Sequence, residues 1–305
     1  MANARANKQI SALHVNGMNG RLLRMPARSS KKRNIFLLYG HHASLERLYG
    51  LAEVLNEYGN VTMPDLPGFG GMDSFYKIGE KPTLDNYADY VASLLKLYYK
   101  RKKVTIIAMS FSVPIIIRTL QKHPELTKKV DILISISGFA HKEDFIFSRK
   151  VYWSLRSLAF VCSNAVPASI MKNVFLTRPV IKMTYTLVSG RHSKMKDAID
   201  QAELKRRIDF EIELWQMNDV RTRMKTMTAM FTLDLCNERV EIPIYHVTAS
   251  EDRYFDNEVV KQHLHVIFKD VEVIPTHMAN HAPSIMATAM EASPYIPDRI
   301  KKLLA

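Results

Sequence analysis

The chain has 305 residues, of which 47% are hydrophobic, and a net charge of +13 from 43 Lys and Arg against 30 Asp and Glu. That length buries a substantial core and fits one large domain carrying an insertion. Its two cysteines, Cys162 and Cys236, lack metal-ligand or redox spacing, which argues against a disulfide framework or a zinc site. No continuous apolar run reaches membrane-spanning length, and the N-terminus lacks the apolar core of a secretory signal, so a soluble cytoplasmic protein is expected.

The first 34 residues hold Arg5, Lys8, Arg21, Arg24, Arg28, Lys31, Lys32 and Arg33 and no carboxylate. Such a face attracts phosphates, nucleic acid or anionic lipid head groups. With no recognisable module and no interleaved stacking aromatics, specific nucleic-acid binding is not expected. An anionic membrane surface is the macromolecular partner that this charge suggests.

In chain order, Lys8 to Val15 and Arg21 to Met25 flank a Gly- and Asn-rich turn at 16–20 and read as an antiparallel hairpin. Asn34 to Tyr39 is nearly all apolar, as a strand covered on both faces requires, and stops at Gly40. Leu45, Leu48, Leu51, Ala52 and Leu55 recur at helical spacing. A strand over Asn60 to Met63 opens into a Pro- and Gly-rich loop from Pro64 to Ser74, and a helix follows from Thr83 to Tyr99. Val104 to Ala108 reads as a buried strand, Val113 to Leu120 as a helix with Pro114 in its first turn, and Val130 to Ser137 as another strand. This alternation predicts a largely parallel sheet with helices on both faces.

From 141 to 238 the alternation stops. Apolar positions around Trp153, Leu158, Val174, Ile181 and Trp215 predict helices without strands, hence an inserted helical cap or lid at 141–238 on a core made of 1–140 and 239–305. Core packing accounts for most of its methionines and aromatics, and an adaptable apolar pocket is the other use for them. The sheet resumes with Ile242 to Thr248, a helix over Asn257 to Phe268 and a strand over Val271 to Ile274, before a terminal helical region from about Ser284.

Ser110 sits between strand and helix. A nucleophile at such a turn needs small residues two positions either side, and Ala108 and Ser112 meet that need. The same window also suits a serine that merely caps a helix. Asp252 and His281 each follow a later strand, so three groups in the order nucleophile, acid, base gather where open parallel sheets place their ligand sites.

In these features the chain resembles the α/β-hydrolase superfamily over essentially its whole length, in its serine-nucleophile, cap-containing branch. Asp65-Leu-Pro-Gly-Phe-Gly-Gly71 is close to the loop after the family's fourth strand, Tyr39-Gly-His41 stands at the oxyanion loop, and Asn280-His281 stands where Gly-His is usual. Tyr39, Ala108, Ser112, Met72 and Asn280 depart from the family's usual residues, and none removes a chemically required group. The resemblance implies an α/β fold with a mostly parallel eight-stranded sheet and no cofactor. It also implies a Ser110, Asp252, His281 triad with the backbone N–H groups of His41 and Phe111 as oxyanion donors.

Among rival residues, His277 and Glu251 lie beside the family positions, Asp144 is a helix-start carboxylate as well as a candidate acid, and the adjacent His41 and His42 lack a third metal ligand at any recognisable spacing. The function this implies is hydrolysis of an ester or related acyl bond in a small, mostly apolar substrate. The alternative is a catalytically silent binding or receptor protein on the same fold.

Overall fold

A computed structural model describes residues 9–28, 33–188, 195, 198, 200–250, 252–276, 281 and 288–305. Eight strands form one sheet: β1 (Ile10–Val15), β2 (Met18–Met25), β3 (Arg33–Leu38), β4 (Gly59–Pro64), β5 (Val104–Met109), β6 (Val130–Ile136), β7 (Val240–Ala249) and β8 (Phe268–Thr276). Their spatial order is β1-β2-β4-β3-β5-β6-β7-β8. The β1–β2 hairpin joins antiparallel through β2 to β4, and every other pairing is parallel. This is the mostly parallel eight-stranded sheet expected from the sequence.

Burial follows position. All six residues of β5 are buried, because this central strand is covered on both faces. Its register with β3, Leu38 opposite Ala108, brings the C-terminal ends of the two strands level. The loops after both strands therefore emerge side by side.

Helices α1 (Tyr49–Leu55), α2 (Leu84–Tyr98) and α3 (Ser112–Lys122) follow β3, β4 and β5. α2 starts where Thr83 accepts a hydrogen bond from the Asn86 N–H, with Asp85 in its first turn, and it buries Tyr87, Val91, Leu94 and Leu95 along one face. α1 begins at Tyr49, later than the leucine spacing predicts. Leu45 and Leu48 are buried all the same, from a turn in which the Arg47 N–H bonds the Ser44 carbonyl. The predicted helix start near Ser284 lies outside the described residues.

Between β6 and β7 lie α4 (Arg149–Cys162), α5 (Ala165–Ile170), a π-helical turn at Met171–Phe175, α6 (Arg178–Val188), α7 (Gln201–Met217) and α8 (Val220–Met230). Among the described residues this interval holds helices and no strand longer than an isolated bridge. It leaves and rejoins the core at one point, where His141 bridges Asp234 and the Lys142 N–H donates to the Leu233 carbonyl. After β7, α9 (Asn257–Ile267) packs on β8, and α10 (Asp298–Leu304) closes the chain.

Candidate active site

Ser110 lies in the tight turn between β5 and α3. Its φ is 52°, in the left-handed region that a residue with a Cβ enters at a cost. The turn is held by the Ser110 N–H donating to the Ile136 carbonyl at 2.9 Å and the Val113 N–H donating to the Ser110 carbonyl at 2.9 Å. Ser112, standing where a glycine is usual, has its hydroxyl satisfied: it accepts from the Met109 N–H at 2.9 Å and lies 3.1 Å from the Leu38 carbonyl. Gly40 packs so closely on this turn that a Cβ there would come within 3.0 Å of the Ser110 Cβ.

The structure brings Ser110, His281 and Asp252 together. His281 Nε2 is 2.8 Å from Ser110 Oγ, and its Nδ1 is 2.7 Å from Asp252 Oδ2. The other Asp252 oxygen accepts from the Tyr254 and Phe255 N–H groups at 2.9 and 3.2 Å, so the carboxylate is fixed from both sides. The rings of Tyr254 and Phe255 flank the imidazole at 5.2 and 5.3 Å between centroids. A carboxylate accepts at Nδ1 only if Nδ1 carries the proton, which leaves the Nε2 lone pair facing the serine hydroxyl. An imidazole in that tautomer can draw the proton from Ser110.

The loop after β3 is anchored by buried polar bonds. Tyr39, at the histidine position of the resemblance, donates its hydroxyl to Asp65 Oδ1 at 2.9 Å and accepts from the Leu66 N–H at 2.7 Å. Tyr90 and Tyr87 donate to the carbonyls of Asp65 and Pro67 at 2.7 and 2.6 Å, so three tyrosines pin the 65–71 loop. Gly70 has no room for a side chain, since a Cβ would fall 1.9 Å from Asp65 Oδ1. Phe111 is buried, with its ring edge-on to His41.

His41 is tied by its side chain to α8, with Nε2 3.2 Å from the Arg223 carbonyl and 2.9 Å from Thr226 Oγ1. A carbonyl only accepts, so Nε2 carries the proton. Burial, aided by the nearby Arg223 charge, pushes the His41 pKa down to about 3, and the ring is neutral.

A cavity of about 270 Å³ opens over Ser110, with His41, Arg47, Arg223 and His281 in its lining. Phe139, Phe145, Leu155, Met227, Phe231 and Phe255 give it an apolar wall drawn from both the core and the helical insertion. The seam between the two includes a buried ion pair, Arg47 to Glu211 on α7. Beside it, His42 packs on Trp215 at 4.3 Å, and Asn218 accepts from the Gly70 N–H at 2.8 Å.

The Arg223 guanidinium lies over the Trp215 ring at 4.2 Å. Its Nε is buried without a hydrogen-bond partner, and Glu211, the carboxylate whose charge reaches it, is ion-paired to Arg47. Burial pushes its pKa down to about 10, which leaves it charged near neutrality.

Of the rival residues, Glu251 and His277 lie outside the described residues, as does Asn280. Asp144 is fully buried and engaged elsewhere: it accepts from the Ala140 and His141 N–H groups at 2.7 and 2.9 Å and pairs with His263. The Arg47–Glu211 pair, the Tyr39 hydroxyl and Arg223 were not singled out by the sequence. Arg47 and Glu211 are 164 positions apart, and no local pattern joins them.

No family model matches the chain, and no curated protein does. Solved structures do. A bacterial membrane phospholipase A described as a virulence factor is 16% identical, with 97% of this chain and 86% of that chain covered and a TM-score of 0.66. The epoxide hydrolase CorEH is 14% identical, with 97% of each chain covered and a TM-score of 0.65. The enol-lactonase of Burkholderia xenovorans LB400 is 13% identical, with 96% and 98% covered and a TM-score of 0.62. Near-complete coverage at these scores matches the sheet order and helix placement described above: the chain has the α/β-hydrolase fold.

Proposed function

We propose that this chain is a serine hydrolase acting on an ester or related acyl bond, with residues 141–238 as a cap on a core of 1–140 and 239–305. The observation that carries this reading is the placement of His281 at hydrogen-bond distance from both Ser110 and Asp252. A free hydroxyl is a poor nucleophile near neutral pH, and an adjacent imidazole activates it. His281 takes the hydroxyl proton as Ser110 Oγ bonds the carbonyl carbon. It returns that proton to the leaving group as the acyl bond breaks, and water then releases the acyl group by the reverse sequence. The backbone N–H groups of His41 and Phe111 serve the developing oxyanion.

The cavity supports a small substrate with an apolar acyl part, since its volume of about 270 Å³ falls just below the range of ordinary ligand sites, about 300–1,000 Å³. Arg223 supports an anionic group on the same substrate, because a desolvated cation with an unbonded Nε, sharing Glu211 with Arg47, gains from a charged ligand.

Labelling by a fluorophosphonate is the direct test. We expect the wild-type chain to label and both Ser110→Ala and His281→Ala to fail, and a folded wild-type chain that does not label would instead favour a silent binding protein. Matched neutral and carboxylate-bearing aryl esters then test the substrate. Arg223→Gln should raise KM for the anionic ester about tenfold or more while sparing the neutral one, with partial rescue by Arg223→Lys.

A further inference from the structure

Residues 145–196 contain nine Lys and Arg and no Asp or Glu, although the chain's average would put about five carboxylates there. The same stretch is the most thinly buried part of the molecule. From 145 to 187 the buried residues are Ala159, Cys162, Ala168 and Ile181. Sixteen large apolar side chains are exposed among the described residues, and twelve of them lie between Ile146 and Leu187. Phe160, Val166, Phe175 and Leu187 are each at least 60% exposed. Single exposed apolar residues are ordinary, whereas a concentration of this kind marks a surface that is covered in use.

α4 and α5 both pack on α8, the π-helical turn continues α5, and α6 packs on α7. Lys150, Lys172, Arg178 and Lys182 are exposed among the apolar groups, and Arg156 lies over the Trp153 ring at 4.9 Å. Aromatic and aliphatic side chains interleaved with unpaired-sign basic ones suit the boundary between acyl chains and anionic head groups. A second copy of this chain fits poorly, because a two-fold contact through this face would oppose two basic surfaces without a carboxylate between them.

We propose that α4, the π-helical turn and α6 form a docking surface for anionic lipid bilayers. The surface lies in the interface and does not cross it. Among the described residues no single helix is long and apolar enough to span, and the two segments Arg149–Cys162 and Ala165–Phe175, which reach that length and composition only together, meet at 99°. Of the described arginines from 9 to 33, Arg21, Arg28 and Arg33 are ion-paired to Glu46, Glu53 and Asp131 and Arg24 lies over the Tyr98 ring, so the unneutralised basic charge is concentrated in the cap. α4 also contributes Leu155 to the cavity above Ser110, so the docked face adjoins the acyl wall. The docking itself stands apart from the hydrolase reading and is measured without turnover.

The test is co-sedimentation of the full chain with vesicles of phosphatidylcholine alone and with about one third phosphatidylglycerol. We expect binding at least about tenfold tighter to the anionic vesicles, weakened by 0.5 M salt, with a blue shift of tryptophan emission as Trp153 leaves water. Lys150→Glu with Lys172→Glu and Lys182→Glu should weaken binding by about tenfold or more, and Phe160→Ser with Phe175→Ser should remove the blue shift. All five side chains are exposed, so thermal midpoints should not move. Equal affinity for both vesicle types, no binding to either, or full binding by the triple charge variant would overturn the proposal. So would a concentration-dependent dimer that Phe160→Ser with Phe175→Ser abolishes, which would assign the face to a second copy.

Discussion

The sheet core and the helical insertion between β6 and β7 are built on opposite terms. In the core, one continuous cluster runs from Leu13 to Leu304 and includes β3 and β5 residues with no exposed surface. Among its described residues the insertion has two small clusters, one around Cys162, Ala168, Val220 and Met224 and the other around Ile181, Met195, Ile208 and Ile212. Interior packing at crystal-like density fixes positions, and thin packing leaves them to a few polar contacts. Ser110 lies on the densely packed side, with its strained φ supported by β5, β6 and the loop at Gly40, whereas the cavity's far wall lies on the thin side.

The comparison breaks most sharply under truncation. Phe36→Ala, deep in β3 against Tyr99, should cost about 3–5 kcal/mol of unfolding free energy, while Phe160→Ala on the cap should change it by no more than about 0.5 kcal/mol. Urea titration of both variants checks this, and similar losses in the two would mean that the cap is packed like the core. Next in size is the seam. Glu211→Gln removes the carboxylate that Arg47 faces and should cost about 3 kcal/mol, because a buried charge loses its counter-charge. Circular dichroism against tryptophan emission should then show the transition at Trp215 preceding the loss of the sheet.

The smallest effect, taken per pH unit, tests the burial of the core. Burial holds His246, on β7 with Ser135 Oγ 2.9 Å from its Nδ1, down to about 4, and holds His41 down to about 3. Both are neutral in the folded chain, and on unfolding each takes up a proton below about pH 6.5. Each histidine's contribution is therefore complete above about 6.5 and falls as the pH drops, by about 1.4 kcal/mol per pH unit, until its folded value is reached. His246→Gln should remove about 1.4 kcal/mol per pH unit from the slope between pH 6 and pH 5, and an unchanged slope would show that this histidine is accessible to protons.

Much of the fold was legible because its signals are local. An all-apolar strand such as β5 declares its burial, and the turn at Ser110 is framed by small residues on either side. The order of Ser110, Asp252 and His281 could be read because each follows a strand. The seam could not be read. Arg47, Glu211, Asn218 and Arg223 look like ordinary polar positions on amphipathic helices or loops, and it is tertiary contact that makes them a buried set. Arg21 shows the opposite error: it reads as part of a basic face and is in fact held by Glu46 and Asp65.

The bond from the His41 ring to α8 has a consequence for anyone wishing to alter the acyl preference. α8 carries Met227 and Met230 into the cavity wall and, from the same turns, holds the residue whose backbone stands beside Ser110. Reshaping that helix to admit a bulkier chain moves the loop at Gly40 and His41 with it. On the hydrolase reading proposed above, selectivity and turnover are thus set by one part, and a library that varies α8 alone will trade one against the other unless Thr226 and the Arg223 carbonyl keep their places.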